Sequence, residues 1–223
     1  MNTKKTTFVI LFLTATIGFS QSREIINPKG KFYFGAEIGK NEITSFTKGE
    51  PKNSVQIGLF SEYYFARHWS VAAQVSYHKT GVSFYKPNTH SGSWFDLGSP
   101  ESSGTFNGAV ISMPVTLKWE FRIHKNLAGS LKTAVSYNHE TKSQYQNYYG
   151  SPSDYSKNYG ALHFGYGFNY FINKNMAVFY DFDMIIGPPK GESEGFFGKN
   201  YYTANNDIGS LGVKYNFKET KKR

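Results

Sequence analysis

The chain has 223 residues, no cysteine, a formal net charge of +9 and 18% aromatic residues. This length suits one sizeable domain, and the lack of cysteine excludes a disulfide framework. No run of about 18 apolar residues occurs, which excludes a membrane-spanning helix.

The first twenty residues have the composition of a secretory signal peptide. Lys4 and Lys5 precede an apolar stretch, Phe8–Phe19, and Gly18 and Ser20 are small residues at the −3 and −1 positions of a cut before Gln21. A charged segment, a short apolar segment and small residues at the cut are the three parts of such a peptide. We therefore predict a signal peptide over 1–20, export of the chain, and a periplasmic N-terminal segment over 21–30.

Beyond the signal, apolar and polar residues alternate with a period of two, which is typical of β-strands with two different faces. The clearest case is Gly108–Arg122, where Ile111, Met113 and Val115 alternate with polar or small residues. Eight segments follow this pattern: Lys31–Lys40, Ser54–Ala66, Trp69–Thr80, Gly108–Arg122, Leu127–Asn138, Leu162–Ile172, Met176–Asp183 and Asp207–Phe217.

Short and long connections between these segments alternate along the chain. The short ones are Arg67–His68, Ile123–Asn126 and Asn173–Asn175, and the long ones are Asn41–Asn53, Gly81–Asn107, His139–Asn158 and Gly187–Asn206. This order predicts an antiparallel up-and-down meander. Tilted strands of about 9–11 residues are long enough to cross the hydrocarbon of a membrane.

The size of the apolar residues distinguishes a soluble barrel from a membrane barrel. Nearly every segment carries a continuous row of large aliphatic or aromatic residues on one face. A lumen of about eight strands is only wide enough to be filled by side chains and could not hold all of these rows. We therefore predict an all-β, eight-stranded antiparallel up-and-down transmembrane β-barrel over 31–217, with its apolar faces toward lipid. Aromatic residues near the short turns predict an interfacial girdle: Phe65, Trp69, Trp119, Phe121, Phe171, Tyr215 and Phe217.

Two motifs add a family resemblance to this pattern. Ser112–Lys118 (SMPVTLK) resembles the strand-proline-strand pattern of the outer membrane protein β-barrel domain group, and Val213–Phe217 (VKYNF) resembles the aromatic-ended strand read by the barrel-assembly machinery. With the signal, these features make the chain similar to the OmpA-like and OmpX-like small barrels of Gram-negative bacteria. The resemblance implies the outer membrane as location, short turns and both termini in the periplasm, and contact with outer-membrane lipids, lipopolysaccharide and the barrel-assembly machinery.

The basic charge is gathered at the short-turn end. The predicted periplasmic tail, residues 218–223 (KETKKR), carries four cations and one anion, and Arg67, Arg122, Lys125 and Lys174 lie in or beside short turns. A secreted chain without a basic groove predicts no nucleic-acid partner. Attraction to anionic lipid headgroups and a tail kept basic for solubility both remain open.

The predicted inward faces carry charges of both signs, which survive in a narrow lumen only when they are paired. The predicted lumen network comprises Glu37, Glu62, Lys118, Glu120, Arg122, Lys132, His163, Asp181, Asp183 and Lys214. We predict a salt-bridge plug across the lumen. A gated ion path and a cation site at Asp181 and Asp183 are the alternatives.

The long connections are rich in aromatic residues, which are typical of recognition surfaces. The predicted loop recognition residues are Trp94, Tyr145, Tyr148, Tyr149, Phe196, Phe197, Tyr201 and Tyr202. The interpretation that we favour is that strands extend above the bilayer as protruding hairpins, which the polar alternation of Ser143–Gln146 before the turn at Gly150–Pro152 supports. Recognition and protruding hairpins can coexist. A Ser and His loop around His90, with Asp96 nearby, is the only candidate for lipid-modifying chemistry, and nothing in the spacing positions it.

These observations predict a non-enzymatic outer-membrane protein with a filled lumen that serves envelope integrity or surface interaction. A narrow channel for ions or small solutes is the alternative, and a lipid-modifying enzyme ranks below it. We predict no catalytic, cofactor or metal site, a monomer, and an unidentified extracellular ligand as one further partner.

Overall fold

The computed structural model describes residues 27–44, 52–86, 102–146, 156–195 and 198–217. These ranges form eight strands: β1 Phe32–Thr44, β2 Lys52–Tyr63, β3 Trp69–Lys86, β4 Ser102–Arg122, β5 Leu127–Gln146, β6 Asn158–Phe171, β7 Met176–Gly195 and β8 Gly198–Tyr215. None of the described segments is a helix that could cross a bilayer.

The strands form a closed barrel in chain order. Each strand pairs antiparallel with the next, and β1 pairs with β8 along a register that runs from Phe34 opposite Tyr215 to Thr44 opposite Asn205. Closure removes the sheet edge, so that the backbone groups of every strand find partners inside hydrocarbon. The predicted eight-stranded antiparallel fold is confirmed.

Three tight turns close one end of the barrel, as the short connections predicted. In the β6–β7 turn, the side-chain Oδ1 of Asn173 accepts hydrogen bonds from the backbone N–H groups of Asn175 (2.8 Å) and Met176 (2.9 Å). An asparagine side chain that holds the backbone two residues onward is a common turn device. The Asn173 side chain therefore stabilises the β6–β7 turn.

At the other end, the strands are longer than the hydrophobic alternation predicted. The β4–β5 ladder continues to Thr105 opposite Gln146, and the β7–β8 ladder continues to Gly195 opposite Gly198. Residues 187–206 were predicted as a long loop, and this prediction was wrong because most of them belong to β7 and β8. A hairpin outside the hydrocarbon has no need of an apolar face, so its strands lack the period-two signal.

The apolar faces point outward, as predicted. Large apolar side chains on all eight strands are exposed on the outer surface, for example Leu59 (68%), Val135 (61%) and Leu211 (63%). Polar residues on the opposite faces, such as Ser112, are buried inside. Phe171 is an exception, because its side chain is completely buried in the lumen rather than part of the girdle.

Pro114 interrupts one ladder of the barrel wall. The β3–β4 register pairs Ala73 with Val115 and Ser76 with Ser112, and no pairing joins the residues between them. Proline has no N–H to donate. The interruption lies beside Gln74, whose side chain turns inward to the charged centre described next.

Candidate functional site: the lumen network

Seven charged side chains from five strands meet inside the barrel, and we call them the lumen network. Its members are Glu62 on β2, Lys118 and Glu120 on β4, Lys132 on β5, Asp181 and Asp183 on β7, and Lys214 on β8. They lie on inward-facing positions of their strands. Strands on opposite sides of the barrel thus contribute to one cluster.

Asp181 is the bridge on one side of the network. Its Oδ2 lies 3.2 Å from Lys118 Nζ and 2.9 Å from Lys132 Nζ. Lys132 Nζ also lies 2.6 Å from Asp183 Oδ2. One carboxylate therefore links two lysines, and one lysine links two carboxylates.

Lys214 is the bridge on the other side. Its ammonium lies 2.7 Å from Glu62 Oε2 and 3.9 Å from Glu120 Oε1, and it donates to the Tyr64 hydroxyl at 2.7 Å. Tyr64 in turn donates to Glu120 Oε1 at 2.6 Å, and Asn169 Nδ2 donates to the same oxygen at 2.7 Å. Each buried carboxylate of this half has a lysine and neutral donors.

Lys118 joins the two halves, because its ammonium also lies 3.8 Å from Glu62 Oε1. The network contains three lysines and four carboxylates, a formal excess of one negative charge. The side chains of Glu62 and Lys214 are at most 1% exposed. Charges this deeply buried are tolerated only when such pairs and hydrogen bonds compensate them.

Aromatic rings surround the lysines. Lys118 Nζ lies 5.9 Å from the ring centroid of Phe60 and 5.7 Å from that of Phe179, within the range of cation–π contacts. The two rings meet edge to face at 5.4 Å. Their strand neighbours are glycines, Gly35 opposite Phe60 and Gly212 opposite Phe179. A Cβ at Gly35 would lie 2.3 Å from the Phe60 ring, so the missing side chain is what admits the ring to the lumen.

A second aromatic group fills the short-turn end of the lumen. Tyr33, Tyr64 and Phe171 are completely buried and pack with Ala128 and Ala177. The Lys214 ammonium lies 5.5, 5.1 and 5.7 Å from the ring centroids of Tyr33, Tyr64 and Phe171, respectively. The lumen thus narrows onto rings below the charged centre.

The other three predicted lumen residues lie inside the barrel but outside these ion pairs. Glu37 Oε1 accepts hydrogen bonds from Gln56 and Gln74, each at 2.7 Å. His163 Nε2 lies 2.8 Å from Ser136 Oγ, and the ring lines the same small cavity as Lys118 and Lys132.

Arg122 stands at the mouth of the lumen. It donates to the Lys125 carbonyl at 3.3 Å, and its guanidinium lies 5.3 Å from the Phe171 ring centroid. The structure therefore brings seven of the ten predicted residues into one cluster.

The free space within this centre is small. A cavity of about 30 Å³ lies between Glu37, Lys118, Lys132, Asp181 and Asp183, with the Phe60 and Phe179 rings in its wall. A polar cavity of this size holds about one water molecule. Side chains of the lumen network line this cavity, and the buried rings of Tyr33, Tyr64 and Phe171 pack at the short-turn end of the lumen.

The predicted loop recognition residues are described only in part. Tyr145 lies on β5, where its ring contacts that of Phe106 at 4.8 Å, and Tyr201 and Tyr202 lie on β8 opposite Glu192 and Gly191. These three lie in strands, as the protruding-hairpin interpretation predicted, and their role in recognition stays a prediction. Trp94, Tyr148, Tyr149, Phe196 and Phe197 lie outside the described residues, as do His90, the predicted signal peptide and the basic tail.

Sequence reasoning missed the inward aromatic residues Phe60, Tyr64, Phe171 and Phe179. A signal for two of them was present, because Phe60 and Phe179 fall on the polar face of their alternating segments. Their cross-strand glycines could be recognised only with the register known. Among the described residues, no group of three or more His, Asp or Glu side chains could hold a metal ion.

The comparisons with known proteins agree with this architecture. Neisserial surface protein A is similar in structure, with a TM-score of 0.53 and 14% identity over 83% of this chain and 97% of its own. A major outer membrane protein from Thermus thermophilus gives a TM-score of 0.48, 13% identity, and coverage of 83% of this chain and 99% of its own. Outer membrane protein OprG from Pseudomonas aeruginosa gives a TM-score of 0.47, 16% identity, and coverage of 88% and 100%. No curated protein matches the sequence.

The likeness to Neisserial surface protein A shows a shared fold. The family evidence is stronger, because the model of the outer membrane protein beta-barrel domain matches residues 11–187, which is more than half of the chain. Such a match also gives the outer membrane as the location. Together with the closed barrel and its outward apolar faces, it means that this chain belongs to the outer membrane protein beta-barrel domain family.

Proposed function

We propose that this protein is a non-enzymatic, non-conducting component of the outer membrane that serves envelope integrity, with its protruding strands available for surface interaction. The observation that carries the proposal is the lumen network, which links opposite barrel walls and leaves a cavity of about 30 Å³. A pore would need a continuous line of water along the axis. We infer that the lumen network and the aromatic rings below it occupy the axis of the lumen, where this water would have to lie.

The energetics of the network support a permanent plug. A hydrated ion that passes must displace Lys118 or Lys132 from Asp181, and both lysines lie within 3.2 Å of it. Breaking a buried pair leaves uncompensated charge, at a cost of about 3–5 kcal/mol. Two such pairs meet at one carboxylate, so opening one of them strains the other.

Recordings in planar lipid bilayers test the proposal. We expect the purified wild-type barrel to give no stepwise conductance. A Lys118→Ala/Lys132→Ala variant removes two long side chains from the cavity wall, and we expect it to show small openings. The matched control is Lys79→Ala/Lys142→Ala, because both residues are exposed on strand segments away from the network; we expect it to remain silent.

The alternative function, a narrow channel for ions or small solutes, gives the opposite result. Steps in the wild type that keep their size in the Lys118→Ala/Lys132→Ala variant would contradict the plugged lumen. Lipid modification is tested separately, by incubating the barrel with lipopolysaccharide and measuring its acyl content. We expect no change, and a change that His90→Ala abolishes would overturn the non-enzymatic assignment.

The extension of β4, β5, β7 and β8 past the last outward apolar residues supports surface interaction. The β7–β8 hairpin stays paired to Gly195 opposite Gly198, so this part projects as sheet. A paired hairpin presents its side chains at low conformational cost to a partner. The ligand would be identified by its contact with these hairpins on intact cells.

A further inference from the structure

The turns at one end of the barrel carry charge of a single sign. We define the short-turn rim as residues 27–31, 64–68, 122–126 and 172–175, all of which the structure describes. Its charged residues are Lys29, Lys31, Arg67, Arg122, Lys125 and Lys174, with His68 and His124 beside them. The rim contains no aspartate or glutamate.

These cations are accessible and crowd one another. Lys29, Arg67, Lys125 and Lys174 are exposed. The ammonium of Lys31 donates a hydrogen bond to the backbone carbonyl of Lys174. Burial and the nearby Lys174 ammonium lower the pKa of Lys31. Like charges held this close favour an external anion that can share them.

The opposite end of the barrel has mixed charge. On β1, Lys40 Nζ lies 3.6 Å from Glu42 Oε2. Asp207 on β8 stands directly opposite Glu42, while Lys79 and Lys142 are exposed on β3 and β5. The uniform positive charge is therefore a property of the short-turn rim and not of the whole surface.

The rim lies next to the aromatic girdle. Trp69 follows the β2–β3 turn, Trp119 stands opposite it, and both are 40% exposed on the outer face. Phe217 is 71% exposed and contacts the ring of Phe34 at 5.9 Å between centroids. Exposed aromatic girdles mark the depth of the lipid headgroups. The cations just beyond them stand at headgroup level.

We propose that the short-turn rim binds anionic phospholipid headgroups, so that the barrel selects anionic lipids at this end. In outer-membrane barrels the short turns face the periplasm, where the rim meets the phospholipid leaflet. Cations at a membrane surface each add about one kcal/mol of attraction to anionic lipid, which corresponds to about a fivefold preference. This inference goes beyond the proposed function and does not depend on a closed lumen.

The distribution of the cations around the short-turn rim favours lipid headgroups over a periplasmic polyanion as the binding partner. Five of the cations come from the segment before β1 and from all three tight turns, so they are spread around the end of the barrel, while Arg122 stands at the mouth of the lumen. A polymer strand would be bound best by a contiguous groove or stripe. Separate headgroups around an aromatic girdle match charges that are spread around a ring.

Spin-labelled lipids test the proposal on the full barrel in vesicles. The wild type is placed in phosphatidylcholine vesicles with trace spin-labelled phosphatidylglycerol or spin-labelled phosphatidylcholine, and the motionally restricted fraction of each is measured. We expect a preference for phosphatidylglycerol of about fivefold at low salt, weakened by added salt. The Arg67→Ala/Lys125→Ala/Lys174→Ala variant should lose most of it.

The matched control is Lys79→Ala/Lys142→Ala/Lys157→Ala, which removes three exposed cations from the other end. We expect this control to keep the wild-type preference. An equal loss in both triple variants, or no preference in the wild type, would overturn the proposal. Binding of the wild type to purified peptidoglycan, without lipid preference, would also overturn it and assign the rim to the cell wall. Heat-modifiable migration on a gel shows that each variant is folded.

Discussion

The most direct test of the lumen network is the replacement of Lys118 by methionine. Methionine keeps an unbranched chain of similar length, so the packing against Phe60 and Phe179 is largely kept while the charge is lost. Asp181 loses a partner at 3.2 Å and keeps Lys132 at 2.9 Å. Glu62 loses a partner at 3.8 Å and keeps Lys214 at 2.7 Å.

The expected magnitude follows from this partial compensation. Removing one member of a buried ion pair costs about 3–5 kcal/mol. Because Asp181 and Glu62 each keep a close lysine, we expect the lower end, a loss of about 3 kcal/mol in the free energy of unfolding. The formal excess of negative charge in the network rises from one to two.

A second substitution separates charge from packing. In Lys118→Met/Asp181→Asn, two lysines face three carboxylates, so the excess returns to one, and Lys132 keeps Asp183 at 2.6 Å. We expect the double variant to lie within about 1 kcal/mol of the wild type. The coupling energy between the two residues is then about 2 kcal/mol plus the cost of Asp181→Asn alone.

Urea unfolding of the barrel in lipid vesicles measures these free energies by linear extrapolation. Trp69 and Trp119 report on it, because both are exposed on the lipid face and their emission changes when they leave the bilayer. A Lys118→Met barrel within about 0.5 kcal/mol of the wild type would contradict the expected loss. Additive effects of the two single substitutions in the double variant would contradict a direct interaction between Lys118 and Asp181.

Two further predictions concern the space beside the network and the orientation of the barrel. Gly167→Ala would place a Cβ 1.9 Å from Asp181 Oδ1, so we expect a loss of about 2 kcal/mol by the same urea assay, whereas Gly160→Ala meets no atom closer than 3.9 Å and should change little. A Gly167→Ala barrel as stable as the wild type would contradict the close packing of Gly167 against Asp181. Since the chain has no cysteine, Lys125→Cys and Lys157→Cys provide unique labels; an impermeant maleimide should label Lys157→Cys on intact cells and Lys125→Cys only after permeabilisation. The reverse labelling pattern would show that the barrel has the opposite orientation in the outer membrane.

The number of strands and the outward direction of their apolar faces could be predicted, because hydrophobic alternation is a local property of the sequence. In Leu162–Ile172, every second residue is large and apolar, and only a lipid-facing surface can accept so many such residues on all the strands. Hydrophobic alternation did not predict the strand segments that lie beyond the hydrocarbon. Residues 139–146 and 189–195 also belong to strands, although their sequences carry no such alternation of large apolar residues.

The charged residues of the centre could also be proposed from the sequence, but their pairing could not. The inward position of Lys214 follows from alternation on β8, whereas its contacts with Glu62 on β2 and Tyr64 depend on barrel closure. Those partners are separated by 152 and 150 residues in the chain. Distances across a lumen depend on strand stagger, which a one-dimensional pattern does not contain.

The amino-acid sequence by itself therefore determined the strand count, the two faces, the positions of the tight turns and the basic short-turn end, since each depends on residues close together in the chain. Only the tertiary structure decided that Phe60 and Phe179 enter the lumen against Gly35 and Gly212, that Lys118 joins the two halves of the network, and that β7 and β8 stay paired as far as Gly195 opposite Gly198. These features arise from cross-strand register and closure, where each side chain's environment is set by residues remote in sequence.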